Sequence, residues 1–189
     1  MFPSLPTWSE LHPIVIHFPI ALLFVAPLFI VLSLIFQKSA KAFTVSALVL
    51  MVIGTIAAVV AVQTGEAASE PVEHLAQAEA ILERHEDLAE LAQWLFLGLT
   101  ATFAGLSFLP VLLKKTVPPA LWVTAHVVFL MAYAGCAGVL GLAAHQGGRL
   151  VHEAGIHTAM GRPEATVSTV PPSPQPDRSR GRDRDHDDD

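Results

Sequence analysis

Four long apolar runs constrain this chain more than any other feature of its sequence. They cover residues 14–36, 43–62, 91–113 and 121–144. Each run is long enough to cross about 30 Å of hydrocarbon, which takes roughly 20 helical residues. A single span must satisfy its backbone hydrogen bonds internally, so helices are the expected form. The sequence therefore predicts an all-α integral membrane four-helix bundle, whose short links at 37–42 and 114–120 make two antiparallel hairpins.

The composition points to the lipid bilayer as the main partner of this chain. Hydrophobic residues make up 52% and charged residues only 15% of the sequence, whereas an ordinary soluble domain carries about 25% charged residues. The net charge of -6 arises mostly from one loop and the tail. There is no phosphate loop, nucleophile elbow, His-Glu-x-x-His or basic aromatic patch. We therefore expect no nucleic-acid partner, and an electron-transfer or binding protein rather than a stand-alone enzyme.

Lysine placement predicts the orientation in the membrane. All the lysines of the chain lie in the two short links, and the positive-inside rule puts both links in the cytoplasm. The N-terminus, the 63–90 loop and the C-terminus then face the periplasm of a bacterial inner membrane. Arg84, Arg149 and Arg162 oppose this orientation but are scattered. The lysines are Lys38, Lys41, Lys114 and Lys115.

The segments outside the runs complete the predicted architecture. From Pro71 the 63–90 connection is rich in helix formers, which predicts an extramembrane helix on the outer surface that runs into the third span. Its carboxylates are more typical of a solvated face than of a cation site. Gly147 and Gly148 predict a sharp turn or a close backbone approach. We expect a membrane domain over residues 8–158 and a disordered Pro-rich and charged tail over 159–189. No internal repeat is convincing in the sequence, although two helical hairpins permit a distant one.

Histidines are the candidate functional residues. In the predicted topology seven of the nine lie on the outer side, where imidazole could bind a metal ion or haem iron. His17, about one turn inside the membrane, is the first candidate, because an ionisable residue there is rare. His85 and His145, at the outer ends of spans three and four, are its expected partners. The seven are His12, His17, His74, His85, His145, His152 and His157.

Each histidine also has an ordinary structural explanation. His12 fits a helix cap or an interfacial residue, and His17 fits a hydrogen bond to a neighbouring helix as well as it fits a ligand. His126, near the inner end of span four, favours an interhelical polar bridge over a second site. The remaining outer histidines fit a solvated or interfacial face. Glycines occur at every third position of span four and could leave a groove for a macrocycle. Ordinary packing between helices through small residues is the favoured explanation. These glycines are Gly135, Gly138 and Gly141.

Several of these residues together resemble a known family. The stretch from His12 to Ile20, Thr64-Gly65, the region of His85 and the segment from Gly147 to Gly155 are similar to the bacterial predicted membrane proteins grouped as domain of unknown function 2231. The resemblance covers about residues 8–158 and implies a four-span membrane domain. Relatives joined or adjacent to Rieske-type or cytochrome c modules imply b-type haem. By position, the resemblance points to His17, to His85 and to the Gly147-Gly148 segment with His145 beside it.

One position departs from the expected pattern, because relatives are expected to carry an aromatic residue where this chain has His152. This departure weakens His152 as an essential ligand. No redox domain is fused within the sequence, so a cytochrome c or Rieske-type partner would be a separate protein.

Three functions follow from this sequence. The leading hypothesis is haem b bound through His17, His85 and His145 near the outer face, for electron transfer or redox sensing. The second is capture or transport of copper, zinc or iron by the same histidines, although one cysteine, Cys136, and unpaired methionines favour no soft-metal site. The third is a non-catalytic subunit of a membrane complex. A homo-oligomer is compatible with all three.

Overall fold

The fold is entirely helical over the residues that the computed structural model describes, which are 7–69 and 78–153. Four stretches are long and apolar enough to cross a membrane: Glu10–Ile35, Gln37–Ser69, Glu79–Leu112 and Pro119–His152. This confirms the predicted four-span, all-α architecture. The predicted tail and three histidines (His74, His157 and His186) lie outside the described residues. The α-helices are α1 Trp8–Val15, α2 His17–Ile35, α3 Ala40–Ser69, α4 Glu79–Leu112 and α5 Pro119–His152, and a short 3-10 helix, Gln37–Ser39, precedes α3.

The helices extend well beyond the apolar runs at one end of the bundle. α3 continues through Thr64 and Gly65, and α5 continues through Gly147 and Gly148. The predicted sharp turn at the paired glycines is therefore wrong, because helical hydrogen bonding carries on to His152. The predicted helical stretch before the third span is present, and over the described residues it forms the first turns of α4.

Proline explains the break between α1 and α2. The ring of Pro19 would clash with the carbonyl of the residue four positions earlier, Val15, and it has no N–H to donate to that carbonyl. The first helix accordingly ends at Val15 and the second begins at His17. At the start of α1 the Glu10 carboxylate accepts a hydrogen bond of 2.8 Å from the backbone N–H of Thr7. His12 lies inside α1, so the alternative that it caps this helix is wrong.

The bundle has a square arrangement. α2 packs along α3 and α4 along α5, while α3–α4 and α2–α5 contacts join the two hairpins. Large side chains fill the centre, among them Leu23, Met51, Phe96 and Tyr133. Apolar side chains also cover much of the outside, as Met131 and Leu112 illustrate with 73% and 78% exposure. Such an apolar exterior suits lipid contact rather than water.

The buried positions reveal an internal repeat that we did not predict. From Ala92 onward, each buried residue of α4 has a buried counterpart in α2, and the spacing in sequence between the two is constant. From Phe129 to Ala143, each buried residue of α5 has a buried counterpart in α3, again at a constant spacing. The two hairpins thus repeat one pattern of buried positions, which we call the structural repeat. The pairs are Pro19 with Ala92, Leu23 with Phe96, Ala26 with Leu99, Ile30 with Phe103, Ala47 with Phe129, Met51 with Tyr133, Ala58 with Leu140 and Ala61 with Ala143.

One buried hydrogen bond joins the repeats. Pro27 lies inside α2 and has no N–H for the carbonyl of Leu23, four positions earlier. The hydroxyl of Tyr133 on α5 donates to that carbonyl over 2.6 Å. A proline in a membrane helix is tolerated when a neighbouring helix satisfies the freed backbone group in this way.

Candidate functional site

His12 joins α1 to α3 at the end of the bundle opposite the two short links. Its Nδ1 lies 3.0 Å from the carbonyl oxygen of Ala61 and 3.1 Å from Oγ1 of Thr64. A carbonyl oxygen only accepts hydrogen bonds, so Nδ1 carries the proton and donates it. A Cβ added to Gly65 would lie 3.1 Å from Cε1 of the ring. The imidazole thus packs directly over a glycine, one turn beyond its carbonyl partner.

His85 makes the equivalent contacts in the second hairpin. Its Nδ1 donates to the carbonyl oxygen of Ala143 on α5 over 2.8 Å. A Cβ added to Gly147 would lie 3.1 Å from Cε1 of His85. The predicted close approach at the paired glycines is therefore confirmed at Gly147. The two histidine environments share a backbone carbonyl and a glycine, and the residues that supply the carbonyls, Ala61 and Ala143, are also paired in the structural repeat of the core.

The two repeat-related histidines, His12 and His85, lie at the same end of the bundle on different hairpins. In the neutral form each ring keeps its proton on Nδ1 and its lone pair on Nε2, which is then the nitrogen able to bind a metal. Metal-binding histidines characteristically donate the other ring N–H to a carbonyl in this way, which fixes the tautomer and the ring orientation.

The structure brings only one of the three predicted ligands into this pair. His85 is part of it and is half-buried. His17 is exposed and donates from Nδ1 to the carbonyl of Pro13 in the preceding helical turn, over 2.6 Å. His145 is exposed as well, at the same end of α5. Their assignment as ligands remains a prediction.

The pair is not accompanied by a larger set of metal-binding side chains. Across residues 7–69 and 78–153, no three histidine, cysteine, aspartate or glutamate residues form a group that could hold a metal ion. The nearby acidic residue Glu153 is already paired with Arg149, whose guanidinium contacts both carboxylate oxygens at 2.8 to 3.0 Å. Hydrogen bonding from Arg149 lowers the pKa of the Glu153 carboxyl.

His126 occupies a separate and more enclosed position toward the other end of the bundle. It is 1% exposed, its ring lies 4.1 Å from that of Trp122, and an edge contact of 5.8 Å joins it to Phe103. Nδ1 donates to the carbonyl of Trp122 within its own helix. Nε2 is buried and has no partner among the described residues. The favoured interhelical hydrogen bond is therefore absent from the described part of the chain, although the aromatic contacts do cross to α4.

Sequence reasoning missed the importance of His12 because it lies before the first apolar run, where a cap was the simpler explanation. A usable signal was present, however. Each half of the sequence places a histidine before its first span and a polar residue followed by glycine after its second span. His12 with Thr64-Gly65 and His85 with Gln146-Gly147 are those two sets. Comparing the halves for this order of residues would have paired His12 with His85.

Comparison with known families gives one match. The family model described as predicted membrane protein (DUF2231) matches residues 9–160, which covers all four spans and both histidines of the pair. No curated protein and no solved structure matches the chain.

Proposed function

The chain belongs to the predicted membrane proteins of domain of unknown function 2231, and we propose that its bundle binds b-type haem through His12 and His85 for electron transfer or redox sensing. One observation carries the proposal. His12 and His85 hold repeat-related places on different hairpins, and each donates its Nδ1–H to a backbone carbonyl on an adjacent helix. Both rings therefore present Nε2 as the available nitrogen.

The number of ligands favours haem over a bare metal ion. A zinc site in a protein takes three or four protein ligands, and no such group exists within the described residues. Haem brings four equatorial nitrogens of its own and needs only axial ligands from the protein. Two imidazoles with fixed tautomers meet that need. Bound iron would supply a reversible one-electron change, while the bundle would bind the group, orient its ligands and exclude water.

The position of the pair defines which electron transfer the protein could serve. Both histidines lie at one end of the bundle, so a single site there would relay electrons along one face rather than across the membrane. With the lysine-bearing links in the cytoplasm, that face is the periplasmic side of the inner membrane. A separate cytochrome c or Rieske-type protein would be the partner.

Visible spectra of the purified protein test the proposal. We expect the wild-type protein, expressed in haem-supplied cells, to show a Soret band and sharp reduced α and β bands. The variants His12→Ala and His85→Ala should lose these bands, while His17→Ala and His145→Ala, which alter exposed histidines, should keep them. Helix content by circular dichroism establishes that each variant folds, and added imidazole should restore part of the signal in the first two.

Other results would redirect the assignment. Loss of the bands in His17→Ala or His145→Ala, with His12→Ala unaffected, would return the ligands to the set predicted from sequence. A folded but colourless wild-type protein would refute haem binding. Metal analysis of that colourless protein would then separate metal capture from a purely structural subunit.

A further inference from the structure

The two histidines have equivalent places in the repeat but unequal surroundings. His12 donates to two acceptors, the carbonyl of Ala61 and the hydroxyl of Thr64. His85 has one side-chain hydrogen bond within the described residues, to Ala143. The difference originates at one pair of repeat-related positions, which hold Thr64 in the first hairpin and Gln146 in the second.

Thr64 is well placed to accept from His12. Its side chain is fully buried, and its hydroxyl lies 3.0 Å from the carbonyl oxygens of both Val60 and Ala61. Because the hydroxyl proton is donated to one of these carbonyls, a lone pair of Oγ1 remains for the Nδ1–H of His12. The opposite assignment would put a bare Nδ1 lone pair against the carbonyl oxygen of Ala61 at 3.0 Å, which is repulsive.

Gln146 does not reproduce this contact. Its side-chain oxygen accepts a 3.0 Å hydrogen bond from the guanidinium of Arg149, which also binds Glu153. The glutamine is thus engaged along the surface of α5, away from the ring of His85. In both hairpins the histidine contacts a backbone carbonyl and a glycine. Only in the first hairpin does it also contact a hydroxyl, that of Thr64.

We propose that Thr64 is a positioning residue that makes His12 and His85 chemically unequal, by giving His12 a second acceptor for its ring proton. Stronger hydrogen bonding of the Nδ1–H makes Nε2 the better electron donor. Resting on the proposed function, this would make His12 the more basic of the two histidines that hold the haem, which would favour oxidised iron and lower the reduction potential.

The test compares Thr64→Val, which removes the hydroxyl at nearly constant volume, with Thr64→Ser, which keeps it. Thr55→Val is the matched control, because Thr55 is also buried on α3 but pairs with Thr100 in the middle of the bundle, at 2.8 Å. We expect Thr64→Val to raise the reduction potential and to weaken haem binding by roughly 10–100-fold, the range for losing a group that orients a ligand. Thr64→Ser and Thr55→Val should stay close to the wild-type protein.

A second readout separates this proposal from the haem assignment. In the haem-free protein, the ¹⁵N resonance of Nδ1 of His12 should shift in Thr64→Val and stay in place in Thr64→Ser and Thr55→Val. A wild-type protein that binds no haem overturns the proposed function, and the ¹⁵N measurement alone then decides the role of Thr64. An unchanged His12 resonance in Thr64→Val, or an equal change in Thr64→Ser or in Thr55→Val, overturns the positioning role.

Discussion

At the residue scale, the two glycines under the histidine rings leave little room for a larger side chain. A methyl group on Gly147 would lie 3.1 Å from His85, so the ring must yield by a few tenths of an ångström. We expect Gly147→Ala to weaken haem binding about tenfold, because the ring loses its alignment with Ala143. Gly65→Ala should act in the same way on His12. Titration of haem into the purified variants, followed by absorbance, measures the effect.

Gly148 provides a matched control for this prediction. It is the next residue of the same helix, and nothing lies within 4 Å of a Cβ built there. Alanine at this position should leave haem affinity unchanged and stabilise α5 by about 1 kcal/mol through its higher helix propensity. Equal losses of affinity in Gly147→Ala and Gly148→Ala would show that general helix stiffness, rather than the room for His85, determines binding.

Single residues also show where sequence reasoning reaches its limit. The location of histidines at one end of the bundle followed from span lengths alone, and His12, His17, His85 and His145 do lie at that end. Which of them meet depends on helix rotation, and the apolar runs carry little rotational information because they are hydrophobic on every face. His17 is one turn and a fraction beyond His12, and this offset is enough to expose it.

At the scale of helices, a buried hydrogen bond from Tyr133 to the carbonyl that Pro27 leaves without a donor joins α5 to α2. Without an N–H at Pro27, the Leu23 carbonyl depends on Tyr133 for its hydrogen bond. We expect Tyr133→Phe to lower the free energy of unfolding by about 1–2 kcal/mol, the upper range for hydrogen bonds between membrane helices. Unfolding by denaturant in detergent, followed by circular dichroism, provides the measurement.

A double-mutant cycle isolates the role of the proline. In Pro27→Ala the new backbone N–H can donate to Leu23 within α2, so the same Tyr133→Phe change should be much less costly. The two substitutions should therefore be non-additive, with a coupling of 0.5 kcal/mol or more, as is usual for groups in one network. Additive effects would indicate that the tyrosine stabilises the bundle through ring packing with Phe96 alone, at 5.4 Å.

Helix ends and breaks could be predicted only in part. Proline chemistry accounts for the break before His17, yet three prolines that look alike in the sequence behave differently. Pro19 ends a helix, whereas Pro27 and Pro110 lie within continuous ones. The difference at Pro27 comes from a partner on α5, distant in the chain, which local propensity cannot reveal. The glycine at position 147 also has a distant cause. It lies inside a continuous helix, and its contact with His85 on α4 favours the absence of a side chain there.

At the scale of the whole molecule, the structural repeat explains why two equivalent histidines lie at one end of the bundle. Two hairpins with matching buried positions place matching histidines at one end, so the candidate site is shared between repeats rather than built by one of them. The repeat could not be read from the core residues of the spans, because most paired core residues differ in kind: Leu23 matches Phe96, and Met51 matches Tyr133. Only burial, which the sequence does not display, makes them equivalent.

The orientation of the whole bundle is the remaining property on which the proposed function depends. All four lysines lie at the end away from the histidine pair, whereas Arg84 and Arg149 are the basic residues other than histidine at the histidine end among the described residues. In this arrangement the lysine end is the more basic of the two ends among the described residues. We therefore predict that the histidine pair faces the outside of the cell, with the lysine links in the cytoplasm.

Labelling of single cysteines in intact cells tests this orientation. In a Cys136→Ala background, Glu153→Cys marks the histidine end, and Lys38→Cys or Lys115→Cys marks the link end; each of the latter leaves the other three lysines in place. A membrane-impermeant maleimide should label only Glu153→Cys in intact cells, and all three after permeabilisation. Labelling of the two link positions without permeabilisation, with Glu153→Cys protected, would instead put the pair on the cytoplasmic side. Its electron partner would then have to be a cytoplasmic protein, even if both histidines bind haem.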